Sequence, residues 1–203
     1  MMNFLSFNKE LKALTRRRRV KVHLNKGNIR SLPMDEMKAI LRAADDIVGV
    51  GGRSLLAKIL KGSKDKKVLE LKLNENPSYG FYKHITIEEI QHRIDWMILS
   101  DYLEIIYSGR LPIIVFSDKG WEIERDQFAD ELLAEWEMWV KESVTPVSME
   151  YLKDRNREMM LLFLEKVKQT KNQAFIPFLK QWEKIEYKKM KKAIREVIEE
   201  IGE

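Results

Sequence analysis

The chain has 203 residues, 44% of them hydrophobic and 34% charged, which is enough apolar material for one large domain or two small ones. It contains no cysteine, which excludes disulfides and thiolate zinc sites and makes a reducing cytoplasm the expected compartment. Net charge is +5 but unevenly placed: residues 1–83 hold 19 Lys and Arg against 8 Asp and Glu, and residues 84–203 hold 18 against 24, so the first part alone is suited to attract a polyanion.

Residues 1–30 read as a basic arm, with 9 basic side chains to 1 acidic. No apolar core follows the start, so no secretory signal is expected. The longest strongly apolar run, Met159 to Leu164, falls well short of the roughly 20 residues of a membrane span, and no membrane partner is expected. The run Arg16, Arg17, Arg18 and Arg19 is suited to neutralising phosphates, although a solvated charge run or an anionic-lipid contact would look the same. Val20 to Leu24 offers one short strand at most, and Asn25-Lys26-Gly27-Asn28 a turn.

Pro33 stands where a first helical turn should begin, with Asp35 and Glu36 at the positive helix end. Met37, Ile40, Leu41, Ala44 and Val48 recur at helical spacing and predict a helix over 34–48, broken by Gly49, Gly51 and Gly52. A second helix covers Leu55, Leu56, Ile59 and Leu60 and closes on Gly62. Lys64 to Leu69 suggests a short helical turn, and Asn74 to Ser78 a loop. Thr86 and Glu89 form a capping box for a third helix, whose buried face is expected to be Ile87, Ile90, Ile94, Met97 and Ile98. Two β-rich runs, Tyr102 to Tyr107 and Leu111 to Phe116, flank Ser108-Gly109-Arg110 and predict a hairpin, with Pro112 on an edge.

Helix, helix, helix, hairpin is the order of a winged helix, with the hairpin as the wing. From residue 122 on, every segment reads as helix: Glu122 to Glu142, with 8 acids against 2 bases, then Ser148 to Lys171, Ala174 to Trp182 and Ile185 to Ile201. The expected fold class is therefore mainly α with a small β-hairpin. The expected domains are a basic arm (1–30), a winged helix (31–125) and an all-helical C-terminal module (126–203). The five tryptophans are expected in cores, with Trp121 and Trp136 able to pin the acidic helix to the winged helix.

Gly52 to Ser63, with its Leu60-Lys61-Gly62-Ser63 turn, resembles the RQC domain of RecQ helicases. So do the basic continuation Lys64-Asp65-Lys66-Lys67, the pair Tyr79-Gly80 and the closing Ser117-Asp118-Lys119-Gly120. The whole is similar to the stand-alone minor RQC proteins of bacteria. The resemblance spans about 75 residues and implies a DNA-binding winged helix. The residues expected to bind are Arg16 to Arg19 in the arm and Arg53 on the second helix. Ser63, Lys64, Lys66 and Lys67 follow on the turn, Thr86 at the third helix start, and Tyr107, Arg110 and Leu111 at the wing. Ser63 and its lysines suit phosphates rather than bases, and Thr86 with the free N–H groups behind it suits an anion. Arg110 stands where some relatives carry an aromatic wedge, which leaves Tyr107 and Leu111 as alternative wedges.

Other signals are weaker. Gly49 to Ser54 lacks the Gly-Lys-Ser/Thr ending of a nucleotide loop. His84, Glu88 and His92 lack a fourth ligand, so no metal and no cofactor is expected. No Ser-His-Asp or Cys-His constellation stands out, and no enzyme activity is expected. The leading expectation is a non-enzymatic binder of DNA ends or forks. The alternative is an adaptor whose helical half recruits a protein partner. A sequence-specific repressor ranks below both, because Glu88, Glu89 and Asp95 accompany Gln91, His92 and Arg93 on the third helix.

Overall fold

The computed structural model describes residues 19–144, 146 and 148–202, which fall into two compact units divided between Glu124 and Arg125. Arg16, Arg17 and Arg18 lie outside the described residues. The first unit holds α1 (Met34–Asp45), α2 (Arg53–Lys61), α3 (Lys66–Glu70), a 3-10 turn (Leu73–Glu75), α4 (Ile87–Leu99), β1 (Leu103–Ser108) and β2 (Leu111–Phe116). α5 (Asp118–Lys141) carries residues of both units. The second unit adds α6 (Arg157–Thr170), α7 (Ile176–Ile185) and α8 (Lys188–Gly202), with 3-10 turns at Glu150–Leu152 and Gln173–Phe175. The protein is thus mainly helical, a winged helix with one hairpin followed by C-terminal helices.

α1 starts after Pro33, whose fixed φ suits a helix start, with Asp35 and Glu36 in its first turn. It buries Met37, Ile40, Leu41 and Ala44. The next core residue is Ile47, fully buried, and not Val48: the helix ends at Asp45, so helical spacing no longer sets which side chain points inward. α2 buries Leu55, Leu56, Ile59 and Leu60 against α4 and closes on Gly62 in the left-handed region at φ 75°.

In α4 the capping box is present, and the buried stripe is Ile90, Ile94 and Met97 together with Asp95 and Trp96. Ile87 is exposed rather than buried, because the first residue after the cap lies where the helix has not yet reached the core.

The hairpin pairs Leu103 with Phe116 and Ser108 with Leu111, leaving a two-residue loop, Gly109-Arg110, with Gly109 at φ 62°. No strand forms over Val20 to Leu24. That segment instead meets the wing through one backbone bond, Val20 N–H to the Arg110 carbonyl at 3.2 Å. The glycine segment after α1 is more than a break. Gly49 donates to the Ile114 carbonyl at 3.0 Å, and Ile114 donates back to the Gly51 carbonyl at 2.8 Å. Pro112 faces the same outer edge of β2 two residues earlier, where its missing N–H leaves no gap in the β1–β2 ladder.

The closing Ser117 to Gly120 motif has a mechanical reading. The Ser117 hydroxyl donates to the Asp101 carbonyl at 2.6 Å and accepts the Gly120 N–H at 3.1 Å. A Cβ at position 120 would collide with the Tyr102 carbonyl oxygen, so only glycine lets α5 start this close to the hairpin.

The second unit packs around Trp136 and Trp182, both fully buried. Phe163, Phe178 and Phe175 lie 4.9, 5.5 and 5.8 Å from the Trp136 ring centre. Trp136 therefore belongs to the core of the helical unit, as expected of the tryptophans. Trp121 packs on Phe116 within the first unit. The helix expected from Ser148 begins only at Arg157, where the Asn156 side chain accepts the Glu158 and Met159 N–H groups.

Candidate nucleic-acid interface

The turn after α2 is held from three sides. Ser63 donates its N–H to the Lys58 carbonyl at 2.9 Å, accepts the Asp65 N–H on its hydroxyl at 3.2 Å, and accepts the Tyr79 hydroxyl proton on its carbonyl at 3.1 Å. Gly80 and Tyr82 donate to the carbonyls of Ile59 and Leu60 at 3.0 and 2.8 Å, which seats the Tyr79-Gly80 pair against the end of α2. A Cβ on Gly62 would lie 3.0 Å from the Gly80 Cα. The motif residues that carry the resemblance are thus one contact between two chain segments. Asp65 caps α3 by accepting the Lys67 N–H at 3.1 Å and binds the Lys58 ammonium at 2.7 Å. The Lys58 hydrogen bond, with the Lys67 amide, holds its carboxyl below the usual range. Lys64, Lys66 and Lys67 remain exposed, with Lys66 only loosely paired to Glu70 at 3.5 Å.

Arg53 is committed differently. Its guanidinium binds Asp95, a buried carboxylate on α4 that also accepts the Asn25 N–H at 2.7 Å. Asp95 therefore anchors the arm and α2 and does not face a ligand. Arg53 still lines a cleft of about 430 Å³ together with Val20, Lys21, Lys58, Lys67 and Leu111. Of the sequence candidates, Arg53, Lys67 and Leu111 meet at this cleft.

Thr86 is exposed, but its anion position has an occupant. The Glu89 carboxylate accepts both the Thr86 N–H and hydroxyl at 2.8 Å, and the Glu89 N–H donates to the Thr86 hydroxyl at 3.2 Å. These bonds, the backbone one foremost, hold the Glu89 carboxyl below its usual range. A phosphate at this end would compete with a carboxylate already in place.

At the wing, Tyr107 donates its hydroxyl proton to the Val20 carbonyl at 2.9 Å, and the Arg19 guanidinium lies 5.0 Å from its ring centre. Tyr107 is a tether for the arm. Arg110 and Leu111 are exposed at the tip, Leu111 at 64%. Thr86 is not part of either grouping.

Three residues escaped the sequence reading. Lys21 and Lys58 line the cleft, and Lys61 donates to the carbonyls of Lys83 and Ile85 at 2.8 and 2.7 Å, fixing the segment that leads into α4. The position of Lys61 inside the Leu-Lys-Gly-Ser motif was the available signal. Lys21 and Lys58 had none, since the arm's path across the hairpin is a tertiary fact. Tyr82, Glu36 and Arg93 form a second knot behind α4. Tyr82 donates to Glu36 at 2.6 Å and Arg93 to the same oxygen at 3.0 Å, and burial, then Glu36, raises the Tyr82 phenol above its ordinary value.

Residues 34–132 match the RQC domain. Over 78 residues the chain is 32% identical to the ATP-dependent DNA helicase RecQ of Bacillus subtilis (strain 168), a stretch that covers 38% of this chain and 13% of that helicase. The chain thus matches only a small part of its relative's length. No solved structure gives a significant match.

Proposed function

Since residues 34–132 are an RQC domain, typically a DNA-binding winged helix in RecQ helicases, we propose that this protein is a non-enzymatic DNA binder that recognises duplex ends or forks. It acts in the manner of the stand-alone minor RQC proteins and holds DNA mainly through phosphates. The observation that carries the reading is the wing tip. Leu111 is 64% exposed beside the exposed Arg110, an apolar and a cationic group presented together at the apex of a hairpin. An exposed terminal base pair offers both an open apolar face and a phosphate, and a duplex interior offers phosphates and groove edges but no open base face. Lys64, Lys66 and Lys67 supply charge without base-reading geometry, so their contribution is the same for all sequences. Opening a base step costs on the order of a few kcal/mol, and a guanidinium replaces lost stacking poorly, so the tip abuts an end without splitting it.

The test is binding of blunt, forked and covalently closed hairpin-capped duplexes to single variants. Lys64→Ala combined with Lys67→Ala weakens all three alike. Arg110→Ala and Leu111→Ser weaken binding to blunt and forked DNA and leave the capped duplex nearly unchanged. Unchanged affinity of both wing variants for every substrate would remove the wing from the interface, and the adaptor reading would take its place.

A further inference from the structure

The second unit is close to neutral in sum, with 15 Lys and Arg against 16 Asp and Glu, but its charges are sorted. Between positions 180 and 192 six lysines stand against two glutamates. Both glutamates are engaged. Glu183 accepts from Arg195 at 2.6 Å, and the Glu186 carboxylate accepts the Trp182 indole N–H at 2.8 Å and the Tyr187 N–H at 3.2 Å. Among the described residues Lys192 pairs loosely with Glu196 at 3.5 Å, while Lys180, Lys184, Lys188 and Lys189 are exposed and meet no carboxylate.

α8 is held by its buried stripe of Met190, Ile194, Val197 and Ile201. Its charges run against the helix dipole: lysines 188, 189, 191 and 192 crowd the N-terminal end, with no acid in the first turn, and Glu196, Glu199 and Glu200 gather toward the C-terminal end. The helix dipole gains nothing from that order. A bound anion at the N-terminal end would gain from the lysines and the dipole together. The 3.6-residue period puts Lys188 and Lys192 opposite the buried stripe. Lys191 reaches the Lys184 carbonyl at 3.4 Å, which brings the end of α7 to the same patch. Tyr187 stands between Lys184 and Lys188 with 64% of its surface exposed, an aromatic ring left outside any core.

We propose that this end of the α7–α8 pair is a second nucleic-acid contact. Lys184, Lys188, Lys191 and Lys192 hold phosphates of a single strand, and Tyr187 stacks on one of its unpaired bases. Cations serve any polyanion, but a proud phenol ring flanked by them serves a strand whose base faces are free, which a duplex interior does not offer. An acidic protein segment would use the charge and leave the ring idle. The site is separate from the winged helix and stands whether or not the wing reading holds.

The test uses the full chain with fluorescent oligothymidylate, a blunt duplex and poly-glutamate across a salt series. Lys184→Glu, Lys188→Glu and Lys192→Glu together lower oligothymidylate affinity at least about tenfold, and the log affinity–log salt slope shrinks by about 0.7 per phosphate no longer neutralised. Lys188→Glu and Lys192→Glu place acids near the N-terminal end of α8 while Lys184→Glu places one in the last turn of α7, so the dipole effects oppose each other. A melting temperature near that of the wild type with lowered affinity separates weakened binding from unfolding. Tyr187→Ala lowers oligothymidylate affinity by between about fivefold and a hundredfold, and Tyr187→Phe retains it. Unchanged affinity and slope in the charge-reversal variant, or wild-type affinity in Tyr187→Ala, overturns the proposal. So does poly-glutamate binding as tightly as oligothymidylate, which would mark the patch as a surface for acidic proteins.

Discussion

Gly62 does two separable jobs. Its φ of 75° is a left-handed position that costs a side-chain-bearing residue about 1–2 kcal/mol, and its Cα side faces Gly80 at close range. Gly49 has a nearly equal φ of 76° with nothing within 4 Å of a new Cβ. Urea denaturation of Gly49→Ala should therefore show the backbone cost alone, and Gly62→Ala that cost plus the displacement of the Tyr79-Gly80 segment. Equal losses would mean that the close approach is not needed. Asp65 and Glu89 supply a second residue-scale prediction. Both carboxyls are lowered in the folded protein, so both favour the folded state above their ordinary values of 3.8 and 4.5, and that contribution is lost as pH falls through the lowered ones. Melting temperatures followed downward from pH 5 should fall less steeply in Asp65→Asn with Glu89→Gln than in the wild type.

At the level of elements, the wing and the arm are one assembly. The Tyr107 hydroxyl and the Arg110 carbonyl hold Val20 from two sides, so the chain after Arg19 lies along the hairpin instead of trailing free. Tyr107→Phe keeps the ring under Arg19 and removes one tie. Limited trypsin digestion should then cut faster after Lys21 while cleavage within the helices stays the same. The elements themselves were legible because their signals are local. The Thr86–Glu89 box, Gly62 at a helix end and the period of α1 and α2 each fit within a few residues. What joins elements was not legible. Asp95 reads as a solvent-facing acid on α4, yet its partners arrive from 42 and 70 positions away in Arg53 and Asn25. The same distance effect hid the cleft and the aromatic neighbours of Trp136, which lie on α6, the Gln173–Phe175 turn and α7. The Leu60 to Ser63 turn was readable as a motif, whereas the occupation of the Thr86 end by Glu89 needed the capping geometry read as a competitor as well as a stabiliser.

For the whole molecule, the division of charge at residue 83 falls inside the first unit, whereas the division into two units with their own cores comes between Glu124 and Arg125. Trp136→Ala removes a fully buried ring that touches four others, a change worth about 3–5 kcal/mol. It should lower the melting of the helical unit and leave blunt-duplex binding by the winged helix intact. The basic arm is tested at the same scale. Neutralising Arg16 to Arg19 should reduce the slope of log affinity against log salt for duplex DNA by about 0.9 for each phosphate the arm ceases to neutralise. An unchanged slope would show the run to be solvated only.

The pair of hydrogen bonds between the Gly49–Gly51 segment and Ile114 joins backbone more than sixty positions apart and ties the outer edge of the wing to the exit of α1. Such a closure forms only after the intervening helices have drawn the chain back on itself, because the loop entropy must be met before the bonds can form. The helical unit is assembled from neighbours such as α7 and α8, which meet across a turn of two residues. The wing should therefore be the last part of the protein to reach its final form during refolding. Trp121, in the first turn of α5 and packed on Phe116 at the end of β2, should report a slower phase than Trp136 and Trp182 in the helical core.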